Sequence, residues 1–342
     1  MVLLIIMQEQ VLVFDMKHFN KITFDDKKEI INIFGNNDEH LRVIEEEFPI
    51  KLMARGDTLS LNGQKKDVKV VLKIFNDLKA LARKSEHIQS EDVRRLVSLY
   101  KENSGDGSGL DSMISDEYTI PIPSKKRFIY PKTIGQKEYI HSIKNYNMVL
   151  AIGPAGTGKT YLAVAMAIAS YESGEVSRII LTRPAVEAGE KLGFLPGTFQ
   201  EKVHPYLRPL YDAIYDMMEI DRFQELLSKD VIEVAPLAYM RGRTLNDAFM
   251  ILDEAQNTTP EQIKMFLTRL GFGSRVIITG DITQIDLPKE KISGLVHVQS
   301  VLKDVKGIKF VYLTKKDAVR HELVTRIIGA YEKEENRNKK KG

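Results

Sequence analysis

The chain contains 342 residues, 43% of them hydrophobic and 28% charged, which is enough for two domains that each bury a core. Its 50 basic and 47 acidic residues leave a formal net charge of only +3, so the composition does not indicate a nucleic-acid-binding protein and any basic surface must be local. The absence of cysteine excludes disulfides, thiolate metal sites and cysteine nucleophiles.

The chain opens with an apolar run. Residues 1–7 are too few to span a bilayer, no positively charged segment precedes them, and no small-residue cleavage site follows. We interpret this run as part of an edge strand or an irregular start, not as a membrane anchor, and we therefore expect a cytoplasmic protein.

Residues 1–102 predict a small α+β domain with the order β-α-α-β-β-α, after a short strand extension. Helices are indicated by apolar side chains three or four residues apart, and strands by short apolar runs bounded by turn residues. The predicted strands are 11–14, 22–24, 50–54 and 58–61, and the predicted helices are 27–34, 38–48 with Asp38 as N-cap, 66–84 and 85–100.

This order resembles that of KH-type RNA-binding modules, in which two helices meet at a Gly-x-x-Gly loop that clamps a nucleic-acid backbone. The corresponding loop here is Gly35-Asn36-Asn37-Asp38. Its last position is aspartate, which brings a negative charge to the place where phosphates would lie. Two interpretations stay open: an RNA-binding module, and a KH-like fold used for packing or oligomer contacts.

A linker is predicted at 103–123, because residues 103–115 are rich in Gly, Ser and Asp and residues 120–123 read Ile-Pro-Ile-Pro. The second domain is predicted at 124–335, and a basic tail at 336–342. The basic cluster at 124–128 is either an RNA contact or a solvated end of the linker.

From residue 129 onwards strands and helices alternate, which predicts an α/β fold with a parallel sheet and helices on both faces. The candidate strands are 148–152, 178–181, 231–234, 249–252, 275–278 and 308–313.

The segment between the first of these strands and the next helix matches the phosphate-loop pattern Gly-x-x-x-x-Gly-Lys-[Ser/Thr]. Its glycines let the backbone N–H groups point inward, and the positive end of the following helix would face the phosphates. Lys159 would reach the β- and γ-phosphates, and the Thr160 hydroxyl would ligate Mg²⁺. The predicted nucleotide-binding residues are Gly153, Pro154, Ala155, Gly156, Thr157, Gly158, Lys159, Thr160 and Tyr161.

A second apolar strand ends in Asp253-Glu254, the Walker B arrangement. Asp253 would hold Mg²⁺ directly or through water, and Glu254 would orient and activate the attacking water. The pair lies 94 residues after Lys159 (253 − 159) in the same α/β region. An aspartate alone suits many nucleotide-binding proteins, whereas the following glutamate favours hydrolysis.

Two glutamines occupy positions similar to those of superfamily 1 helicases. Gln284 follows a third apolar strand in the pattern Gly-Asp-x-x-Gln, where it would sense the γ-phosphate. Gln136 precedes the phosphate-loop strand, where its amide would bond adenine and make ATP the nucleotide. The alternatives are a polar loop residue at 284 and a surface helix residue at 136.

Four stretches together resemble the PhoH-like ATPase family across about residues 129–331: GPAGTGKT at 153–160, LTRPAVEAGEKLGFLPG at 181–197, YMRGRT at 239–244 and TGDITQID at 279–286. The KH-like half resembles the bacterial PhoL/YbeZ-type branch. The resemblance implies a RecA-like P-loop core, RNA helicase-like activity, assembly into a homo-oligomer such as a hexameric ring, and work beside an rRNA-processing endoribonuclease. The chain has no PIN nuclease domain, so a ribonuclease activity of its own is not expected.

An arginine finger must come from this domain or from a neighbouring subunit, because only 58 residues follow Gln284 (342 − 284), too few for a second RecA-like domain. The candidates are Arg241, Arg243 and Arg320, each of which could instead form a structural ion pair. We therefore predict an oligomer.

The segment after the second strand, 183–197, is predicted to contact the RNA backbone through Arg183 and Lys191, with glycines that permit close approach. The leading interpretation of the whole chain is an ATPase that couples hydrolysis to RNA remodelling. The alternative is an ATP-switched scaffold that recruits an endoribonuclease or ribosome-assembly partner and moves no RNA.

Overall fold

The computed structural model describes residues 18–24, 26–84, 88–102, 117–122, 128–184, 199–288, 290–319 and 322–339. The chain divides into two compact units, Met1–Ser112 and Met113–Gly342, and the division falls within the segment 103–123. The strand predicted at 11–14 lies outside the described residues. Among the helices that are described, none combines the length and the apolar composition needed to cross a bilayer.

The N-terminal unit has the predicted order β-α-α-β-β-α, followed by one more helix. Its elements are β1 (His18–Thr23), α1 (Lys27–Phe34), α2 (Glu39–Glu47), β2 (Ile50–Arg55), β3 (Thr58–Gly63), α3 (Lys65–Lys84) and α4 (Ser90–Glu102). The strands form an antiparallel sheet in the order β1-β3-β2. Alternate side chains such as Ile22, Leu59 and Leu61 are buried, so one face of the sheet forms the core with the helices.

Asp38 occupies the predicted N-cap position of α2, but its side chain does not cap the helix. Asn36–Asp38 form a short 3-10 turn, in which Asn37 and Asp38 adopt left-handed conformations with φ of 53° and 59°. An N-cap residue needs extended backbone for its side chain to reach the first helical amides. The carboxylate of Asp38 accordingly makes no capping bond to α2.

The C-terminal unit is an α/β fold built on a six-stranded parallel sheet. Its elements are β4 (Ile120–Pro121), β5 (Phe128–Ile129), α5 (Ile134–Asn145), β6 (Met148–Ile152), α6 (Lys159–Glu172), β7 (Arg178–Arg183), α7 (Phe199–Met217), α8 (Ile220–Ser228), β8 (Ile232–Pro236), β9 (Ala248–Leu252), α9 (Pro260–Leu267), β10 (Arg275–Gly280), α10 (Gly294–Val301), β11 (Ile308–Tyr312) and α11 (Glu322–Lys339). The strand order is β11-β6-β10-β9-β7-β8.

Both faces of this sheet are covered, which explains why its strands read as continuous apolar runs. Residues such as Val149 and Phe249 pack with α5, α6, α7 and α8 in one hydrophobic cluster. Their neighbours along the strands, such as Leu150 and Met250, pack with α9 and α10 in another. All six predicted strands are confirmed, with ends shifted by at most two residues.

The last helix, α11, extends to Lys339, and Lys315–Asp317 before it form a separate 3-10 turn capped by Thr314. The tail predicted at 336–342 therefore begins inside this helix.

The order of the strands in the sheet positions the site. Strands β6, β10, β9 and β7 are consecutive neighbours, so the loops at their carboxyl ends meet at one edge.

Candidate functional site

The phosphate loop lies between the end of β6 and the start of α6. Gly156 and Gly158 have φ of +82° and +81°, in the left-handed region that favours glycine. A Cβ on Gly153 would lie 2.6 Å from the carbonyl oxygen of Leu313, closer than atoms can approach. The loop therefore keeps its curled shape because glycine occupies these positions.

Lys159 is buried in the first turn of α6, with only 8% of its surface exposed. Its Nζ donates to the carbonyl oxygens of Gly153 at 2.7 Å and Pro154 at 2.9 Å. Burial lowers the pKa of this ammonium from its ordinary value, and nearby carboxylates act in the opposite direction. The charge is held by the carbonyl groups of its own loop, which phosphate oxygens could replace.

Two hydroxyl groups converge on Asp253, which directly follows β9 and is 4% exposed. Thr160 Oγ1 donates to Asp253 Oδ1 at 2.6 Å, and Thr279 Oγ1, from β10, donates to the same oxygen at 2.6 Å. A hydroxyl and a carboxylate side by side are the hard oxygen donors that Mg²⁺ prefers.

The part of the chain that the structure describes contains no group of three or more acidic or histidine side chains able to hold a metal ion. A Mg²⁺ ion at Thr160 and Asp253 would thus complete its shell with water and phosphate oxygens, as it does in nucleotide sites. The residues present fit such an ion.

Glu254 has a left-handed backbone, with φ of 54° and ψ of 38°, which is uncommon for a residue other than glycine and characteristic of functional sites. Its Oε2 accepts a hydrogen bond from Gln256 Nε2. Its Oε1 lies 3.2 Å from Nη2 of Arg183. Both carboxylate oxygens are therefore held by side chains.

Arg183, predicted as an RNA contact, lies where β7 ends, beside the acidic pair that follows β9. Its Nη1 donates to the carbonyl oxygen of Tyr206 at 2.8 Å, and its Nε lies 4.0 Å from Asp253 Oδ2. The guanidinium points to the acidic pair at 253–254 because β7 is paired with β9 in the sheet. Lys191, the other expected contact, lies outside the described residues.

Asp281 connects the glutamine of the third motif to the phosphate loop. Its Oδ2 accepts from Gln284 Nε2 at 3.0 Å and from the backbone N–H of Ala155 at 3.1 Å. Its own N–H donates to Gln256 Oε1 at 3.0 Å. No role was predicted for Asp281 from the sequence, although its position in Gly-Asp-x-x-Gln at a strand end was a usable signal.

Gln136, in the first turn of α5, is buried, and both ends of its amide are bonded to backbone. Oε1 accepts from the N–H of Lys132 at 2.7 Å, and Nε2 donates to the carbonyl oxygen of Thr157 at 3.1 Å. The side chain thus ties the segment before α5 to the phosphate loop. The alternative of a surface glutamine is wrong, since only 5% of the residue is exposed.

Tyr161, expected beside the nucleotide, has its hydroxyl 2.8 Å from Asp216 Oδ2, to which it donates. Burial and this bond raise the pKa of the phenol. The described contact of this side chain is thus with α7.

Two of the three arginine-finger candidates are described. Arg243 forms a two-pronged ion pair with Glu233, at 2.7 Å for each prong, so its guanidinium is occupied within its own unit. Arg241 is exposed and forms no ion pair among the described residues. Arg241 follows β8, which lies at the edge of the sheet, four strand-to-strand steps from β6. Arg320 lies outside the described residues.

A model of the PhoH-like protein family matches residues 128–332. The chain is similar to a PhoH-like protein of Bacillus subtilis, with 49% identity over 306 residues that cover 90% of this chain and 95% of the relative. It is also similar to a PhoH-like protein of Mycobacterium tuberculosis, with 50% identity over 88% of this chain and 84% of the relative. Protein PhoH of Escherichia coli is 37% identical over 80% of this chain and 74% of its own length. The chain therefore belongs to the PhoH-like family of P-loop NTPases.

Proposed function

We propose that this protein is a Mg²⁺-dependent ATPase that couples hydrolysis to the binding and remodelling of RNA. The observation that carries the proposal is the 2.6 Å hydrogen bond between Thr160 and Asp253, directly beside Glu254. It joins the phosphate loop to the acidic strand end, so a nucleotide phosphate, a metal ion and a general base can meet within one site.

The residues have separable roles in this proposal. Lys159 and the inward N–H groups of the phosphate loop hold the β- and γ-phosphates, and Thr160 and Asp253 hold Mg²⁺. The ion, when bound, neutralises charge that develops on the phosphates. Glu254 orients water for in-line attack and accepts its proton, and Gln284 senses the γ-phosphate through its bond to Asp281.

ATP is the proposed nucleotide because Gln136 stands at the position that would read adenine. To do so it must exchange its bonds to Lys132 and Thr157 for bonds to the base. Adenine binding would thereby release the bond between Gln136 and the phosphate loop at Thr157.

A homo-oligomer, such as a hexameric ring, is proposed because Arg243 is held by its ion pair with Glu233, whereas Arg241 is exposed and forms no ion pair among the described residues. An exposed arginine of this kind suits action on a neighbouring subunit. Cooperation with an rRNA-processing endoribonuclease rests on the family resemblance alone.

The test is the rate of ATP hydrolysis with and without single-stranded RNA. We expect stimulation by RNA that weakens as salt rises. The Glu254→Gln variant should bind a fluorescent ATP analogue and lose turnover. Turnover that survives this substitution would refute the assignment of Glu254 as the general base.

A second candidate function is an ATP-switched scaffold that recruits a nuclease or ribosome-assembly partner. It is favoured by the exposed carboxylates of Asp38 and Glu39 at the KH-like loop, which oppose phosphate binding there. An ATPase rate that does not respond to RNA would support the scaffold.

A further inference from the structure

The N-terminal unit has an open sheet face opposite its core. Nine side chains form three rows of three on this face, which we call the open grid. The rows follow from the pairing of the strands. They consist of Phe19, Asn62 and Lys51, then Lys21, Ser60 and Met53, then Thr23, Thr58 and Arg55. The six residues of the outer strands are all exposed, and the three of β3 are half-buried. Their neighbours in sequence, such as Leu59 and Leu61, point to the core.

The charge on the open grid has one sign. Lys21, Lys51 and Arg55 are its only charged members, and within the described part of the chain none of them forms an ion pair. The nearest carboxylate along the chain, Asp57, belongs to the hairpin turn and accepts a hydrogen bond from Thr58 at 2.9 Å. Three unpaired cations on a protein of nearly neutral net charge form a local positive surface, which an anionic polymer would neutralise.

The grid also offers contacts for bases and sugars. Phe19 is 55% exposed, with Nζ of Lys21 5.6 Å from its ring centre, and Met53 is 46% exposed. The central strand presents Ser60 and Asn62, whose hydroxyl and amide can bond base edges and ribose hydroxyl groups. An aromatic side chain beside cations on an open sheet is the combination on which single-stranded nucleic acids stack.

The loop expected to clamp RNA in a KH module has the opposite charge. Asp38 and Glu39 are both exposed there, and the N–H of Asn36 donates to Glu39 Oε1 at 3.2 Å, so a carboxylate already occupies one of the loop amides. The exposed Arg42 also reaches this loop, where its guanidinium donates to the carbonyl oxygen of Asn37, so the loop carries two negative charges and one positive charge. A phosphate would therefore be attracted less at this loop than on the opposite, sheet side of the unit, where the charges are all positive.

We propose that the open grid binds single-stranded RNA, with phosphates on Lys21, Lys51 and Arg55 and a base stacked on Phe19. The strands of six residues make the face about 20 Å long and about 10 Å wide between its outer strands, enough for a short stretch of nucleotides. The choice of RNA as ligand rests on the proposed function, whereas the site itself lies outside the nucleotide-binding unit.

The test compares two triple variants of the full chain that each lose three positive charges. One is Lys21→Ala, Lys51→Ala, Arg55→Ala on the grid. The matched control is Lys65→Ala, Lys66→Ala, Lys69→Ala on exposed positions of α3. Binding of a fluorescein-labelled oligouridine is measured by anisotropy at several salt concentrations, with an oligothymidine of equal length as a second arm.

We expect the grid variant to raise the Kd about tenfold or more and to lower the slope of log K against log salt by about 2, because each lost phosphate contact removes about 0.7 for a single strand. The control variant should leave the Kd within about twofold of the wild type and the salt slope unchanged. Phe19→Ala should weaken binding about fivefold or more with the slope unchanged, and Phe19→Tyr should restore it.

Equal effects of the grid and control variants would overturn the proposal, as would oligothymidine binding as tightly as oligouridine. A grid variant that binds RNA normally but changes its sedimentation mass would identify the face as a protein interface and overturn it too. Hydrolysis of ATP without RNA should be the same in all variants, so failure of the grid and failure of the proposed ATPase are separate results.

Discussion

The guanidinium of Arg183 lies 3.2 Å from the carboxylate of Glu254, the proposed general base. The same guanidinium donates to the backbone of Tyr206 on α7. Arg183 is also the last residue of β7 and the first residue of the segment 183–197 that the sequence predicts to contact RNA. One side chain therefore connects the proposed base with the end of β7 and with α7.

We predict that Arg183 positions Glu254 for catalysis. Arg183→Ala removes the ion pair that fixes the carboxylate, so we expect kcat for ATP hydrolysis to fall about tenfold or more, a loss of about 1.4 kcal/mol in transition-state stabilisation. The affinity for a fluorescent ATP analogue should stay within about threefold of the wild type. Arg183→Lys, which keeps the charge but not the fork, should recover part of the rate.

The matched control is Arg178→Ala, at the opposite end of the same strand, where the side chain donates to the carbonyl oxygen of Asn246. It should leave kcat within about twofold. If Arg183→Ala lowers nucleotide affinity and rate together, or if Arg178→Ala has the same effect, Arg183 is a structural residue.

The contact between Arg183 and Glu254 could not be predicted from the sequence, although much of the fold around it could. The buried strands of the C-terminal unit were predictable because both faces of a covered parallel sheet demand apolar residues, and the phosphate loop because glycine must occupy its left-handed positions. The partner of Arg183 depends on β7 lying next to β9, 71 residues along the chain (254 − 183), and no local pattern encodes that order. The bonds of Gln136 and the left-handed backbone of Asp38 were missed for the same reason, since tertiary contacts decide them.

Asp281 is predicted to stabilise the phosphate loop. Asp281→Ala leaves the N–H of Ala155 and the amide of Gln284 without their acceptor, so we expect the free energy of unfolding to fall by about 1–3 kcal/mol. Urea denaturation followed by circular dichroism measures this. The exposed Asp304→Ala is the control, expected within about 0.5 kcal/mol of the wild type. Equal stability of both variants would contradict the role of Asp281.

The hydroxyl of Thr160 is predicted to set the requirement for Mg²⁺. Thr160→Val keeps the shape of the side chain but removes one oxygen donor, whereas Thr160→Ser keeps the donor. We expect the Mg²⁺ concentration for half-maximal binding of a fluorescent ATP analogue to rise about tenfold in the valine variant and to stay near the wild type in the serine variant. Equal Mg²⁺ dependence of the two variants would show that Thr160 only bonds Asp253.

The buried ammonium of Lys159, which the nucleotide site requires, is predicted to destabilise the folded chain. Burial lowers its pKa in the folded chain below the ordinary value of 10.5. Below that lowered pKa the unfolded chain holds the charge more favourably, so the folded state carries a penalty that fades as the pH rises towards 10.5.

Without nucleotide, Lys159→Met should therefore have a higher Tm than the wild type at about pH 7, and the difference should shrink by about pH 10. The exposed Lys306→Met should show no such change. A Lys159→Met protein that melts below the wild type at neutral pH would mean that the bonds to Gly153 and Pro154 outweigh the cost of burying the charge.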